Sequence, residues 1–154
     1  IPLHKKIHVA IRSREISKKL LSKAVIVYID KRGRQKSLGG HYLNDFIAAH
    51  TNEFGKYALT IDNTPPSITD ELPDIKDYSE KKSISFLIDD NLSGIDTYFA
   101  EIDGKKIIFE YDEKNDRIKY KFDKHINLNQ THTLKITIFD KKNNKTVYEK
   151  DFFK

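Results

Sequence analysis

Asn63-Thr64-Pro65-Pro66 is the stretch on which the reading of this chain turns. Two adjacent prolines fix two φ angles and remove two backbone donors, so neither a strand nor a helix runs through them. Immediately before them, Phe54-Gly55-Lys56-Tyr57-Ala58-Leu59-Thr60-Ile61-Asp62 reads as a strand leaving one module. After them, residues 67–154 carry a series of short alternating strands. The expected organisation is a small β-rich module over 1–62, a stiff Pro-Pro junction over 63–66 and an immunoglobulin-like β-sandwich over 67–154.

The downstream half is the more regular. Ile84, Phe86 and Ile88 alternate with Ser83, Ser85 and Leu87, the signature of a half-buried strand. Asp89-Asp90-Asn91-Leu92-Ser93-Gly94 is a polar turn before a strand over 95–102, and Asp103-Gly104 is a hairpin signal. Further strands are expected over 106–111, 117–122, around Leu134-Ile136-Ile138, and over 146–153. With a short opening strand near Ser67, that makes about seven. Strands with one apolar face must bury it against another layer, and no helical pattern supplies one. Two facing sheets follow. A closed barrel is the alternative, and it needs more strands.

Upstream, a strand is expected over roughly 6–12, and Ala24-Val25-Ile26-Val27-Tyr28-Ile29 is the strongest strand signal. Asp30-Lys31-Arg32-Gly33-Arg34 turns the chain, and Ala48-Ala49-His50-Thr51 suits another strand. Residues 13–24 hold the one helical stretch, with Ser13 as a cap, a short turn or irregular loop being the alternative. Phe54 and Tyr57 are expected to anchor the module. The fold class is all-β: two β-sandwich-like modules in tandem.

Composition excludes several chemistries. The chain of 154 residues has no cysteine, which removes disulfides, thiol nucleophiles and thiolate metal sites. It has no methionine, even at position 1, as expected of a processed or excised fragment. No apolar run is long enough to span a bilayer as a helix. Charge is uneven. Residues 1–62 carry 12 Lys plus Arg against 5 Asp plus Glu (12 − 5 = +7), and residues 63–154 carry 16 against 18 (16 − 18 = −2). Lys5, Lys6, Arg12, Arg14, Lys31, Arg32, Arg34 and Lys36 form a candidate binding surface for an anionic neighbour, or else a solubilising decoration. The aromatics among them sit at strand positions expected to be buried, so no nucleic-acid partner is expected.

The motif search yields no catalytic set. The six histidines, His4, His8, His41, His50, His125 and His132, include no His-Glu-x-x-His pattern. No Gly-x-Ser-x-Gly elbow and no phosphate-binding glycine loop occurs. Paired acids at Asp89-Asp90 and Asp112-Glu113 lie on polar turns, where neither is held protonated for acid catalysis. Asp89, Asp90 and Asn91, with Asp140 from a neighbouring turn, offer hard oxygen donors suited to calcium, without the full calcium-loop pattern. Turn side chains closing on their own backbone are the simpler explanation. No cofactor is implied.

Leu38-Gly39-Gly40, Phe54-Gly55-Lys56-Tyr57, the Pro-Pro junction, Ile88-Asp89-Asp90-Asn91-Leu92-Ser93-Gly94-Ile95, Glu101-Ile102-Asp103-Gly104-Lys105 and Glu110-Tyr111-Asp112 follow one another in order. In this the chain resembles the non-catalytic C-terminal region of secreted zinc peptidases of the lysostaphin type from Bacteroidetes. The resemblance implies a non-enzymatic accessory or scaffolding region of a larger, exported cell-envelope protein, periplasmic or at the cell surface. Its implied partners are a missing upstream domain of the same chain and a cell-wall polymer or envelope protein. Two alternatives stand beside it. One is a carbohydrate- or adhesin-type binding module, using Tyr98, Tyr111, Tyr120 and Tyr148 as stacking surfaces. The other is an enzyme with an inter-module metal site, for which His8, His41 and His50 are the imidazoles to examine.

Overall fold

The computed structural model describes residues 2–154; Ile1, the first residue of the expected opening module, lies outside them. Among the described residues every regular element is a strand except one 3-10 helix. The chain divides into two compact units. The first runs to Thr64 and also takes in Asn91–Gly94 and Lys141–Asn143; the second holds Pro65–Asp90, Ile95–Asp140 and Asn144–Lys154.

In the first unit the strands are β1 (Pro2–Arg12), β2 (Ala24–Ile29), β3 (Gln35–Ser37), β4 (His41–Leu43), β5 (Phe46–Glu53) and β6 (Lys56–Ile61). They form two three-stranded sheets, in the orders β1-β5-β4 and β3-β2-β6. Ala24, Ile26, Ile47 and Ala49 make a small core, lined by Val9, Ile11, Leu21, Tyr57 and Leu59. The stretch Ala24–Val27 is buried on both faces, which explains why its sequence is a continuous apolar run instead of an alternation. Gly33, at φ +78°, closes the turn from β2 to β3, and Asp30 accepts the N–H groups of Arg32 and Arg34.

Two local expectations are corrected here. Ser13 caps no helix: it is buried, and both its N–H and its hydroxyl donate to the Asp45 carbonyl. Only Lys18–Lys23 coil, as a 3-10 turn with no side-chain cap. Phe54 is no anchor, since 59% of its surface is exposed, whereas Tyr57 packs on the core.

In the second unit the strands are β7 (Ser67–Asp70), β8 (Ser83–Asp89), β9 (Ile95–Ile102), β10 (Lys105–Ile107), β11 (Glu110–Asp112), β12 (Arg117–Lys121), β13 (Thr131–Asp140) and β14 (Lys145–Phe153). They form two four-stranded sheets, β11-β12-β8-β7 and β10-β9-β13-β14. This is a sandwich resembling the immunoglobulin fold. The single strand expected over 106–111 is in fact two. β10 pairs with β9, the chain crosses at Ile108-Phe109, and β11 joins β12 on the other sheet. Phe109 is buried at the crossing while Ile108 is 87% exposed.

Phe86 and Phe109 pack with Tyr148 and Tyr120, and a second cluster joins Tyr78, Phe122 and Phe152. These rings fill much of the core of the second unit. Tyr148 and Tyr120 are both pushed up to about 12, by burial first, then by the Asp70 carboxylate beside Tyr148 and the Asp123 carboxylate near Tyr120. A raised folded-state value means the fold favours the neutral phenol. That stability is whole below the unfolded value of 10.0 and is lost as pH rises through about 12. The last tyrosinate absorbance at about 295 nm is therefore expected to appear together with loss of β-sheet circular dichroism. Full ionisation of all tyrosines with the sheet signal intact would contradict this.

Candidate metal centre

Two acids at strand ends of the second unit come together. Asp90 follows β8, and Asp140 ends β13. One carboxylate oxygen from each lies within 4.8 Å of the other. Asp140 is 0% exposed. Two oxygens bound to one Ca2+ at about 2.4 Å can be no more than about 4.8 Å apart, so this spacing fits a shared hard cation. Like charges this close are relieved by a bound cation, by a protein ammonium group or by a shared proton.

Local hydrogen bonds hold Asp140, and others hold Asp62 at the end of the first unit. Asp62 accepts the Ser93 N–H through Oδ2 at 2.9 Å and the Thr64 N–H through Oδ1 at 3.3 Å. Asp140 accepts the Asn144 N–H at 2.8 Å and the Asn144 side-chain amide at 2.6 Å. The β13 register shifts between Phe139 and Asp140, a bulge that re-aims the last side chain of the strand. Ser93 is buried, and its hydroxyl has no hydrogen-bond partner among the described residues.

Of the four calcium candidates read from the sequence, the structure brings Asp90 and Asp140 into this group. Asp89 instead accepts the Asp90 N–H, and Asn91 is exposed.

The other candidates are distributed as follows. Lys5, Lys6 and Arg12 lie on β1, Arg14 in the turn after it, Lys31, Arg32 and Arg34 in the β2–β3 turn and Lys36 on β3, all exposed. β1 and β3 belong to different sheets. Arg34 pairs with Asp30 and Lys36 with Glu53. His8 and His50 face each other across β1 and β5 with ring centroids 5.2 Å apart, both exposed, and His41 pairs in register with Ala48. Tyr120 is buried, Tyr98 and Tyr148 are half-buried, and only Tyr111, 42% exposed, faces solvent.

His132 is a buried imidazole that alternation placed inside. Its Nδ1 lies 2.6 Å from Asp103 and its Nε2 lies 2.8 Å from the Asn127 carbonyl. With both nitrogens engaged by acceptors, it has no free ring position for proton transfer or metal binding. Asp103 is held below its ordinary value. Burial opposes this, but the Thr133 N–H, the His132 hydrogen bond and nearby positive charge outweigh it.

Residues 1–62 match the family model described as the Zu5-like domain. No curated protein matches the chain. The Zu5-like match is unrelated to the lysostaphin-type peptidase region that the sequence resembled, and it overturns that assignment. The description as a non-enzymatic accessory region is corrected as well. A buried carboxylate group able to hold a cation is at odds with a flat exclusion of metal chemistry. Among the described residues no helix is long and apolar enough to cross a membrane.

Proposed function

We propose that this protein binds a divalent cation through Asp90 and Asp140. The observation that supports it is the approach of their carboxylate oxygens to within 4.8 Å, with Asp140 buried. An all-oxygen donor set favours a hard ion, Ca2+, Mg2+ or Mn2+, over Zn2+. Two protein carboxylates leave coordination positions for water or a substrate oxygen, so metal-assisted hydrolysis is the reaction class such a centre would serve.

Isothermal titration of the metal-stripped protein with each ion, paired with thermal melts, tests the reading. A specific ion at about 100 times its Kd should add about 2.7 kcal/mol of stability. Asp90→Asn, at the less buried of the two acids, should weaken binding by at least about tenfold and, by removing one of two like charges, leave the ion-free melt at or above its original midpoint. No heat and no shift with any of these ions would overturn the proposal.

A further inference from the structure

The second unit carries an open cleft of about 580 Å3 whose floor is apolar and whose rim is cationic. Phe122, Ile126 and Leu128 form the floor, and Leu128 is 67% exposed. Five lysines line it: Lys81, Lys82, Lys119, Lys121 and Lys154. Asp123 is the acid among the lining residues, and it already holds the His125 N–H. This clustering is notable against residues 63–154 as a whole, which carry 16 basic and 18 acidic side chains.

The cations are held to different degrees. Lys154 is fixed: its ammonium donates to the carbonyls of Tyr78, Ser79 and Lys81 and sits 5.1 Å over the Phe122 ring. Lys121 meets Glu110 at 3.1 Å in an exposed pair, which is weak and readily exchanged. Lys119 and Lys121 are two apart on one face of β12, opposite Ser85 and Ser83 of β8. Side chains two apart on a strand are spaced by about 6.6 Å, the same repeat as alternate side chains of an extended peptide.

We infer that this cleft binds an extended acidic peptide segment of a partner protein, with acids at alternating positions over Lys119 and Lys121 and one apolar side chain seated on Phe122 and Leu128. The open shape favours a chain that continues past the rim. A small ligand needs most of its surface enclosed, and this cleft does not enclose it. Charge complementarity supplies encounter and register, and the apolar floor supplies the anchor.

Fluorescence anisotropy on the whole protein tests this with a fluorescein-labelled peptide of about 12 residues, Glu at alternate positions and one central Leu, against a Gln-for-Glu control and dodecyl phosphate. The acidic peptide should bind with a Kd of about 100 μM or tighter near 50 mM salt, and about tenfold more weakly near 300 mM. The double variant Lys82→Gln/Lys119→Gln should lose about tenfold and flatten the salt dependence. Leu128→Asn should lose about fivefold and leave the salt dependence as it was. All these side chains are exposed, so circular dichroism should be unchanged. Three results would overturn the inference: no binding of the acidic peptide at low salt, equal binding of the Gln control, or displacement of the bound peptide's role by dodecyl phosphate alone binding in a Lys119-dependent way.

Discussion

Lys150→Met should cost the protein about 3–5 kcal/mol of stability. The Lys150 ammonium lies 2.6 Å from Asp70 Oδ2, with the two side chains 7% and 4% exposed. It also donates to the Leu72 carbonyl at 2.9 Å and the Tyr78 hydroxyl at 3.3 Å, and lies 5.2 Å from the Tyr78 ring centre. Tyr148 donates to the same Asp70 oxygen at 3.0 Å. Removing the lysine strands a buried carboxylate, whose desolvation is no longer offset. For a unit of about 90 residues the thermal midpoint should fall by roughly 15–30 °C. Lys150→Met combined with Asp70→Val removes both charges, and most of the lost stability should return, because the pair's attraction does little more than balance its burial. Some deficit should remain, since the Tyr148 and Tyr78 hydroxyls lose partners. Denaturant titration of the single and double variants measures this. A cost below about 1 kcal/mol for the single exchange would show that water reaches the pair.

Phe152→Ala is the second. Phe152 is 1% exposed, and its ring centre lies 5.7 Å from Tyr78, 5.6 Å from Phe122 and 5.5 Å from His132. Truncation opens a cavity among large, stiff rings that collapse poorly, so the loss should be about 3–5 kcal/mol. Phe152→Leu retains much of the volume and should cost under about 2 kcal/mol. The neighbouring Phe153 is 37% exposed, and Phe153→Ala should change stability by no more than about 0.5 kcal/mol. Equilibrium unfolding of the three variants separates them. Equal costs at 152 and 153 would mean the β14 pleat is out of phase with the core.

Much of the second unit is written in period two. His132, Leu134, Ile136, Ile138 and Asp140 share one phase along β13, and Tyr148, Lys150 and Phe152 share one along β14. Apolar members of those series show the buried face, and the polar members ride with them. The burial of His132, Lys150 and Asp140 is therefore legible in their phase along the strands. The acid pair was half legible. Asp90 and Asp140 each carry a turn signal, but nothing in either local pattern links two positions 50 residues apart.

By itself the order of residues determined the class of structure: alternation, turn chemistry at Asp103-Gly104 and the proline pair leave only β-sheets, because those features act within a few bonds of one another. Tertiary structure alone decided that the chain changes sheets at Ile108-Phe109, that Lys150 finds Asp70 80 positions away, and that Asp90 and Asp140 from separate strands share one place. Such pairings depend on how remote segments close upon each other, and no local pattern records the partner of a charge.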